Sequence, residues 1–168
     1  EVAGEVCDGL ICHAFSTEQY LREVTIPAVE RGLAKAGRSM DDFEIVGPGF
    51  VVTGEDEETM VRSAAGIRQQ IAFYGSTPSY LAVLEHHGYA ALGKKLNGLM
   101  REGDVEKMIS LIPEGLIDSL AIVDKPDSIG QRLRERYDGV LDRVSLYLAM
   151  EDESKFQSWE NLIECVHA

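Results

Sequence analysis

The sequence has few basic residues and no long hydrophobic run. Its 16 lysines and arginines face 29 aspartates and glutamates, which gives a formal net charge of −13. A protein that binds nucleic acid or an anionic membrane surface needs a basic face, and no lysine and arginine cluster supplies one here. No apolar run reaches the about 18–20 residues that a membrane-spanning helix needs. We therefore expect neither nucleic acid nor a membrane as a partner.

Cysteine is also scarce. Cys7, Cys12 and Cys165 are an odd number with no CxxC spacing, which indicates free thiols in a reducing cytoplasm rather than a disulfide framework. Neither Cys7 nor Cys12 has a basic neighbour in the sequence that would lower the pKa of its thiol. Both are therefore predicted to be buried apolar residues, and the protein to be cytoplasmic.

Several catalytic signatures are absent as well. There is no Gly-x-Ser-x-Gly turn, which argues against an α/β hydrolase, and no pair of carboxylates spaced as in glycosidases. His86 and His87 are adjacent, and neighbouring residues on a helix point about 100° apart, so they rarely bind one ion. No metal site is expected.

Three segments predict strands: Gly9–Cys12, Phe43–Thr53 and Arg143–Leu148. Gly47-Pro48-Gly49 predicts a bulge or a sharp bend within the second strand. The connections are long enough for crossovers, and a long helical excursion separates the last two strands. This order predicts a parallel α/β protein.

The helices between the strands are marked by start and stop signals. Ser16 to Gln19 predict a capping box with Ser16 as the cap, opening a helix that kinks near Pro27 and stops at Gly37. Acidic residues 55–58 open a second helix, and Pro113–Leu120 predicts a later one. The predicted apolar face of the second helix consists of Met60, Val61, Ala64, Ala65, Ile71 and Ala72. A closing helix is also predicted, with an apolar face of Phe156, Trp159, Leu162, Ile163 and Val166.

The first residues predict the end of a helix. Glu1 to Cys7 have the amphipathic pattern of two last turns without an N-cap, and Asp8-Gly9 break the pattern. Three strands alone would also leave two exposed sheet edges. We therefore expect residues 1–168 to form a single partial domain, a fragment whose missing part lies upstream.

Four further segments are informative in combination: Ala3 to Ile11 (AGEVCDGLI), Phe43 to Glu58, Ile71 to Tyr80 (IAFYGSTPSY), and Lys125-Pro126-Asp127 with Arg143 to Tyr147. Together they resemble the luciferase-like monooxygenase family, in particular its deazaflavin-dependent branch. Each motif is weak alone, but they occur in the family's order and cover nearly the whole chain.

The resemblance implies a (β/α)8 TIM barrel of which this chain holds the C-terminal half, strands six to eight and their helices. In such barrels the chemistry lies at the C-terminal ends of the strands. Family members bind a deazaflavin, coenzyme F-420, or a flavin such as FMN there, and exchange a hydride with a small organic substrate. Most contacts to the cofactor ring are implied to lie outside this sequence, so the catalytic residues are unknown.

The same resemblance places His13 and Ser16 in the loop that approaches the cofactor tail. Some relatives have a basic residue at the position of Ser16 to hold a substrate phosphate, so serine here argues against a sugar phosphate. His13 is otherwise an ordinary loop histidine, and Ser16 is first of all a helix cap. Tyr74 and Tyr80 flank a tight turn, where they either roof an apolar pocket and bond a substrate carbonyl or simply pack between helices.

Two functions from different classes follow. The first is an oxidoreductase fragment that acts on a small-molecule substrate with coenzyme F-420 or, alternatively, FMN. The second is a non-catalytic half-barrel module for binding or assembly that dimerises to bury its apolar faces. Either way, we expect a homo-oligomer or pairing with the missing N-terminal half.

Overall fold

The computed structural model describes residues 1–147, together with residues 160 and 163. Within them, short helices and strands alternate along the chain. Their bounds are α1 Val2–Val6, β1 Gly9–Ile11, α2 Glu18–Tyr20, a π-helix Leu21–Thr25, α3 Ile26–Lys35, a 3-10 turn Met40–Asp42, β2 Glu44–Val52, α4 Glu57–Gly75, a 3-10 turn Pro78–Tyr80, α5 Leu81–His86, α6 Ala90–Glu102, α7 Val105–Ser110, α8 Glu114–Leu120, β3 Ala121–Val123, α9 Pro126–Tyr137 and β4 Arg143–Leu146.

The sheet is parallel, as predicted, and β2 is its central strand. Each of the other three described strands pairs with β2 in parallel. The short strand β3 is absent from the prediction, because its three residues directly follow α8 and carry no turn signal between helix and strand. The predicted bulge in β2 is also wrong: Val46 to Gly49 pair one to one with Arg143 to Leu146. An unbroken β2 brings the C-terminal ends of its neighbours to one edge of the sheet.

Side chains on the two faces of β2 enter different parts of the core. Phe50 and Val52 pack with residues of α4 to α8 in the largest apolar cluster. Ile45 and Val51, whose side chains point the opposite way, join clusters formed with α3 and α9. This alternation is what a strand covered on both faces requires. The site described below therefore stands on a strand that is held from both sides.

Helices α1 and α3 touch at two glycines. A Cβ on Gly4 would lie 2.3 Å from the carbonyl oxygen of Val29, and one on Gly32 would lie 2.0 Å from that of Glu1. No side chain fits at either position, so backbone packs directly on backbone. The salt bridges from Lys35 to Glu1 and Glu5 cover the same contact from the solvent side.

The predicted helix after β1 begins one residue later than expected and changes its winding. Thr17, not Ser16, is the N-cap, because its hydroxyl accepts from the Tyr20 N–H at 3.0 Å. The sequence predicts a kink near Pro27, and the π-helix Leu21–Thr25 lies just before this residue. The predicted capping box is therefore wrong, because Thr17 caps the helix and the side chain of Gln19 donates to Glu23 instead of reaching back.

Some side chains predicted to be buried lie at the surface. Cys7 is exposed and Cys12 is half-buried, so only Cys12 fits the buried position expected for both, and burial raises the pKa of its thiol. On α4 the side chain of Val61 is exposed, while Ile67, one turn before Ile71, is buried instead. Of the predicted closing helix, only Ile163 falls among the described residues; Phe156, Trp159, Leu162 and Val166 lie outside them.

The predicted absence of a membrane-spanning helix and of a metal site can be compared with the described residues. Among the helices that the structure describes, none is long and apolar enough to cross a membrane. Over the same residues, no three histidine, cysteine, aspartate or glutamate side chains come together in a way that would hold a metal ion.

Candidate functional site

Six rings meet where strands of the parallel sheet end, and we call them the aromatic cluster. Two follow the end of a strand: His13 lies two residues after β1, and Tyr147 lies directly after β4. The others come from the loop after β1, from β2, from α4 and from the 3-10 turn that follows α4. The cluster consists of His13, Phe15, Phe50, Tyr74, Tyr80 and Tyr147.

Two phenylalanines form the floor of the cluster. Phe15 and Phe50 are both fully buried. The Phe15 ring lies 5.6 Å from the ring of Tyr80, and the Phe50 ring lies 5.5 Å from that of Tyr147, edge to face. Such contacts add to the burial of apolar area and fix how each ring is oriented. The partly exposed rings above are therefore held by a rigid base.

His13 is in the middle of the cluster and is held in one tautomer. Its ring lies 4.5 Å from that of Tyr74 and 4.9 Å from that of Tyr80. Its Nδ1 accepts from the backbone N–H of Phe15 at 3.0 Å, so in the neutral ring the proton is on Nε2. Burial lowers the pKa of His13, which favours this neutral form. No described residue hydrogen-bonds to Nε2, which is left as a free donor.

The three tyrosines differ in how their hydroxyls are used. The hydroxyls of Tyr74 and Tyr147 are hydrogen-bonded to each other at 2.8 Å. That bond, with burial and the nearby phenols, raises the pKa of Tyr74 to about 12. The Tyr80 hydroxyl forms no hydrogen bond with any residue that the structure describes. The Tyr80 hydroxyl and His13 Nε2 are thus the two polar groups of the cluster without a described hydrogen-bond partner.

The cluster carries no formal charge at neutral pH. The pKa shifts of His13 and Tyr74 arise from burial and from the tyrosines themselves, with no ionised side chain among their causes. Chemically, the arrangement offers flat apolar faces, one imidazole N–H donor and one phenol that either donates or accepts. Such a surface suits a planar, uncharged group with oxygen or nitrogen at its edge.

The structure brings together three of the four predicted site residues. His13, Tyr74 and Tyr80 are mutual neighbours, although Tyr74 and Tyr80 also pack as interhelical rings. Ser16 is half-buried, and no described residue forms a hydrogen bond with it, so its role as a cap passes to Thr17.

Three members of the cluster are absent from the predicted site. Tyr147 lies inside the predicted strand Arg143–Leu148, and only the observed end of β4 at Leu146 places it at the strand terminus. Phe15 and Phe50 are ordinary core phenylalanines in the sequence, and only their contacts identify them.

A cleft lies along β3 and α9, apart from the aromatic cluster. It has a volume of about 460 Å³ and is lined by Glu18, Asp118, Ala121, Ile122, Val123, Arg132, Glu135 and Arg136. Its arginines already have partners: Arg132 is 3.1 Å from Asp124 and 3.5 Å from Glu135, and Arg136 donates to the carbonyls of Ala121 and Asp118. We call it the charged cleft.

Comparison with known proteins gives relatives that are longer than this chain. An uncharacterised protein of Mycobacterium tuberculosis (strain H37Rv) is 41% identical over 154 residues, which cover 91% of this chain and 45% of the relative. The 5,10-methylenetetrahydromethanopterin reductase of Archaeoglobus fulgidus is 30% identical over 140 residues, which cover 80% of this chain and 40% of the reductase. The chain therefore spans less than half the length of these curated relatives.

Solved structures resemble the fold. A coenzyme F-420 dependent tetrahydromethanopterin reductase from Methanopyrus kandleri matches with a TM-score of 0.70 at 22% identity, over 98% of this chain and 46% of its own. An F-420-dependent secondary alcohol dehydrogenase, solved with an F-420–acetone adduct, matches with a TM-score of 0.64 at 16% identity, over 98% and 44%. At these identities the likeness establishes the α/β fold with its parallel sheet.

The family itself follows from the sequence match. The family described as luciferase-like monooxygenase matches residues 1–143, which is most of the chain. The match contains the first three of the resembling segments and the start of the fourth. The chain belongs to the luciferase-like monooxygenase family.

Proposed function

We propose that this chain is part of an oxidoreductase in which coenzyme F-420 exchanges a hydride with a small organic substrate. The observation that carries the proposal is the convergence of His13, Tyr74, Tyr80 and Tyr147 at the ends of parallel strands. That edge is where barrel enzymes place their chemistry. The proposal includes a (β/α)8 barrel to which this chain contributes three strands, as the length of the relatives suggests.

The aromatic cluster fits a deazaflavin or flavin in its chemistry. A flat tricyclic ring requires flat apolar walls and a few hydrogen-bonding groups at its edge, and the cluster has both. In the proposal, His13 donates from Nε2 to the cofactor, while Tyr74 and Tyr80 line the side where the substrate binds. Ser16, without a described hydrogen-bond partner, remains a proposed second contact to the cofactor. When bound, the cofactor supplies the hydride chemistry, and this chain's residues hold and orient it.

The choice of coenzyme F-420 rests on the relatives. The names of both solved structures include it, and those proteins share the fold of this chain. FMN is the second choice, because the family resemblance includes flavin-dependent members. No catalytic residue is assigned, since the proposal places the groups that act on the substrate in another part of the barrel.

A cofactor titration tests the proposal. The complete natural polypeptide that contains this sequence would be titrated with coenzyme F-420 and, separately, with FMN, following cofactor fluorescence; the 168-residue chain would be titrated in parallel. We expect the complete polypeptide to bind coenzyme F-420 with a dissociation constant on the order of micromolar, as is ordinary for enzyme ligands. Absence of binding to either cofactor would overturn the proposal.

The second candidate function is a non-catalytic module that assembles with another polypeptide. The observation in its favour is exposed apolar surface: Val2, Val6 and Ile11 are 71%, 74% and 80% exposed on α1 and β1. Burying such side chains against a second copy, or against the remaining half of a barrel, would be favourable. Sedimentation of the purified chain over a concentration series tests for dimers, and a monomer at all concentrations would contradict the module.

A further inference from the structure

One buried polar group is separate from the aromatic cluster and still bears on it. Thr17 is only 2% exposed, although it lies in the connection between β1 and α2. Its hydroxyl makes two hydrogen bonds: it accepts from the N–H of Tyr20 at 3.0 Å, and it lies 2.6 Å from Nε2 of His87. The first bond caps a helix, but the second reaches 70 residues along the chain and needs another explanation.

The first bond leaves two possible directions for the second. A hydroxyl has one proton and two lone pairs, and the Tyr20 N–H uses one of the lone pairs. Thr17 therefore either donates its proton to Nε2 of a His87 ring that is protonated on Nδ1, or accepts from an Nε2–H of His87. Burial, followed by the neighbouring His86, lowers the pKa of His87 and favours its neutral form, while Glu23 opposes it.

The bond joins the two segments that carry the free polar groups of the cluster. Thr17 is four residues after His13, and His87 is seven residues after Tyr80; the rings of His13 and Tyr80 are 4.9 Å apart. Between His13 and Thr17, the bond to His87 is the one described hydrogen bond to another part of the chain. Phe15 also anchors the loop, by its burial in the core and by its ring contact with Tyr80.

We propose that Thr17 and His87 are a positioning pair, which holds the loop after β1 so that His13 faces Tyr80 with its Nε2–H directed outward. The expected effect on cofactor binding rests on the proposed function. The effect on the orientation and tautomer of His13 does not depend on that function. Neither Thr17 nor His87 touches the ligand in this proposal.

The test compares three variants in the complete polypeptide. Thr17→Val keeps the shape and removes the hydroxyl, Thr17→Ser keeps the hydroxyl, and Asp104→Ala removes a helix cap at a distance, since Asp104 caps α7 by accepting from the Lys107 N–H. Nitrogen NMR of the histidines, with His13 assigned by loss of its signals in His13→Gln, reports the tautomer and the measured pKa of His13.

We expect Thr17→Val to mix the two neutral tautomers of His13 and to move its measured pKa toward the ordinary value, with Thr17→Ser and Asp104→Ala unchanged. The dissociation constant for coenzyme F-420 should rise about tenfold in Thr17→Val and less than about twofold in Thr17→Ser, as one lost hydrogen bond implies. Unchanged His13 signals in a folded Thr17→Val protein would overturn the proposal. If the signals change as expected but no cofactor binds even to the parent protein, the positioning pair stands and the proposed function fails.

Discussion

The aromatic cluster and the charged cleft differ in charge and in how their hydrogen-bonding groups are used. In the cleft, Arg132 and Arg136 are engaged by carboxylates and backbone carbonyls. In the cluster, His13 Nε2 and the Tyr80 hydroxyl have no described partner, although the rings around them are closely packed. A binding site must keep part of its hydrogen-bonding capacity free for the ligand. The free groups of the cluster are the reason why the proposed cofactor site lies there and not in the cleft.

The largest expected effect comes from removing the floor of the cluster. Phe15→Ala should lower the free energy of unfolding by about 3–5 kcal/mol, because a fully buried ring leaves a cavity among residues of the main core. Urea unfolding followed by circular dichroism measures the change. Val61→Ala, at an exposed position of α4, is the matched control and should be nearly neutral. An equally small loss in Phe15→Ala would mean that the floor is not rigid.

The next effect is on binding rather than stability. His13→Gln removes the fixed Nε2–H donor at a partly exposed position, and the dissociation constant for coenzyme F-420 should rise about tenfold, equivalent to one hydrogen bond. Fluorescence titration of the complete polypeptide measures it. If His13→Gln bound as tightly as the parent protein, the cluster would lose its claim to be the cofactor site.

A smaller effect is expected from acid. The pKa values of His13 and His87 are lowered in the folded state, mainly by burial, so the unfolded chain binds protons more readily. Their contribution to stability is complete above the unfolded value of about 6.5 and is lost as the pH falls below it. Unfolding in urea at pH 7.5 and at pH 5.5 measures the loss. The double variant His13→Gln, His87→Gln should lose less stability over this window than the parent protein; an identical loss would contradict the assignment.

The smallest effect should come from the charged cleft. Arg132→Gln removes an arginine whose side chain is 56% exposed, and ion pairs at such exposed positions contribute little. We expect the affinity for coenzyme F-420 and the unfolding midpoint to be unchanged within error. A loss of affinity comparable to that of His13→Gln would mean that the charged cleft, and not only the aromatic cluster, takes part in binding the cofactor.

The parts of the fold that could be predicted are those with a local cause. Asp56, one of the acidic residues predicted to open the second helix, is the N-cap of α4, and Pro113 precedes α8 as predicted. Gly37 adopts a left-handed conformation just after α3, where the sequence predicts the stop. The parallel sheet followed from connections too long for hairpins.

The parts that could not be predicted depend on contacts between distant residues. By residue type, Ser16 and Thr17 are equally suited to cap a helix. The hydroxyl of Thr17 also bonds His87, which is 70 residues away in the sequence, and no local pattern indicates that contact. β3 has three residues and exists because β2 offers an edge to pair with. At the site, His13, Tyr74 and Tyr80 were predicted from their positions, but the bond between Tyr74 and Tyr147 joins side chains 73 residues apart.

The contact of Gly4 with Gly32 has a consequence for how β1 is aligned. α1 leads into β1 after only two residues, and at the glycines it rests on α3 without any intervening side chain. A methyl group at either position would act as a wedge, tilting α1 and carrying the start of β1 with it. Because the loop with His13 begins just after β1, a single added carbon between α1 and α3 would displace that loop without touching any ring of the aromatic cluster.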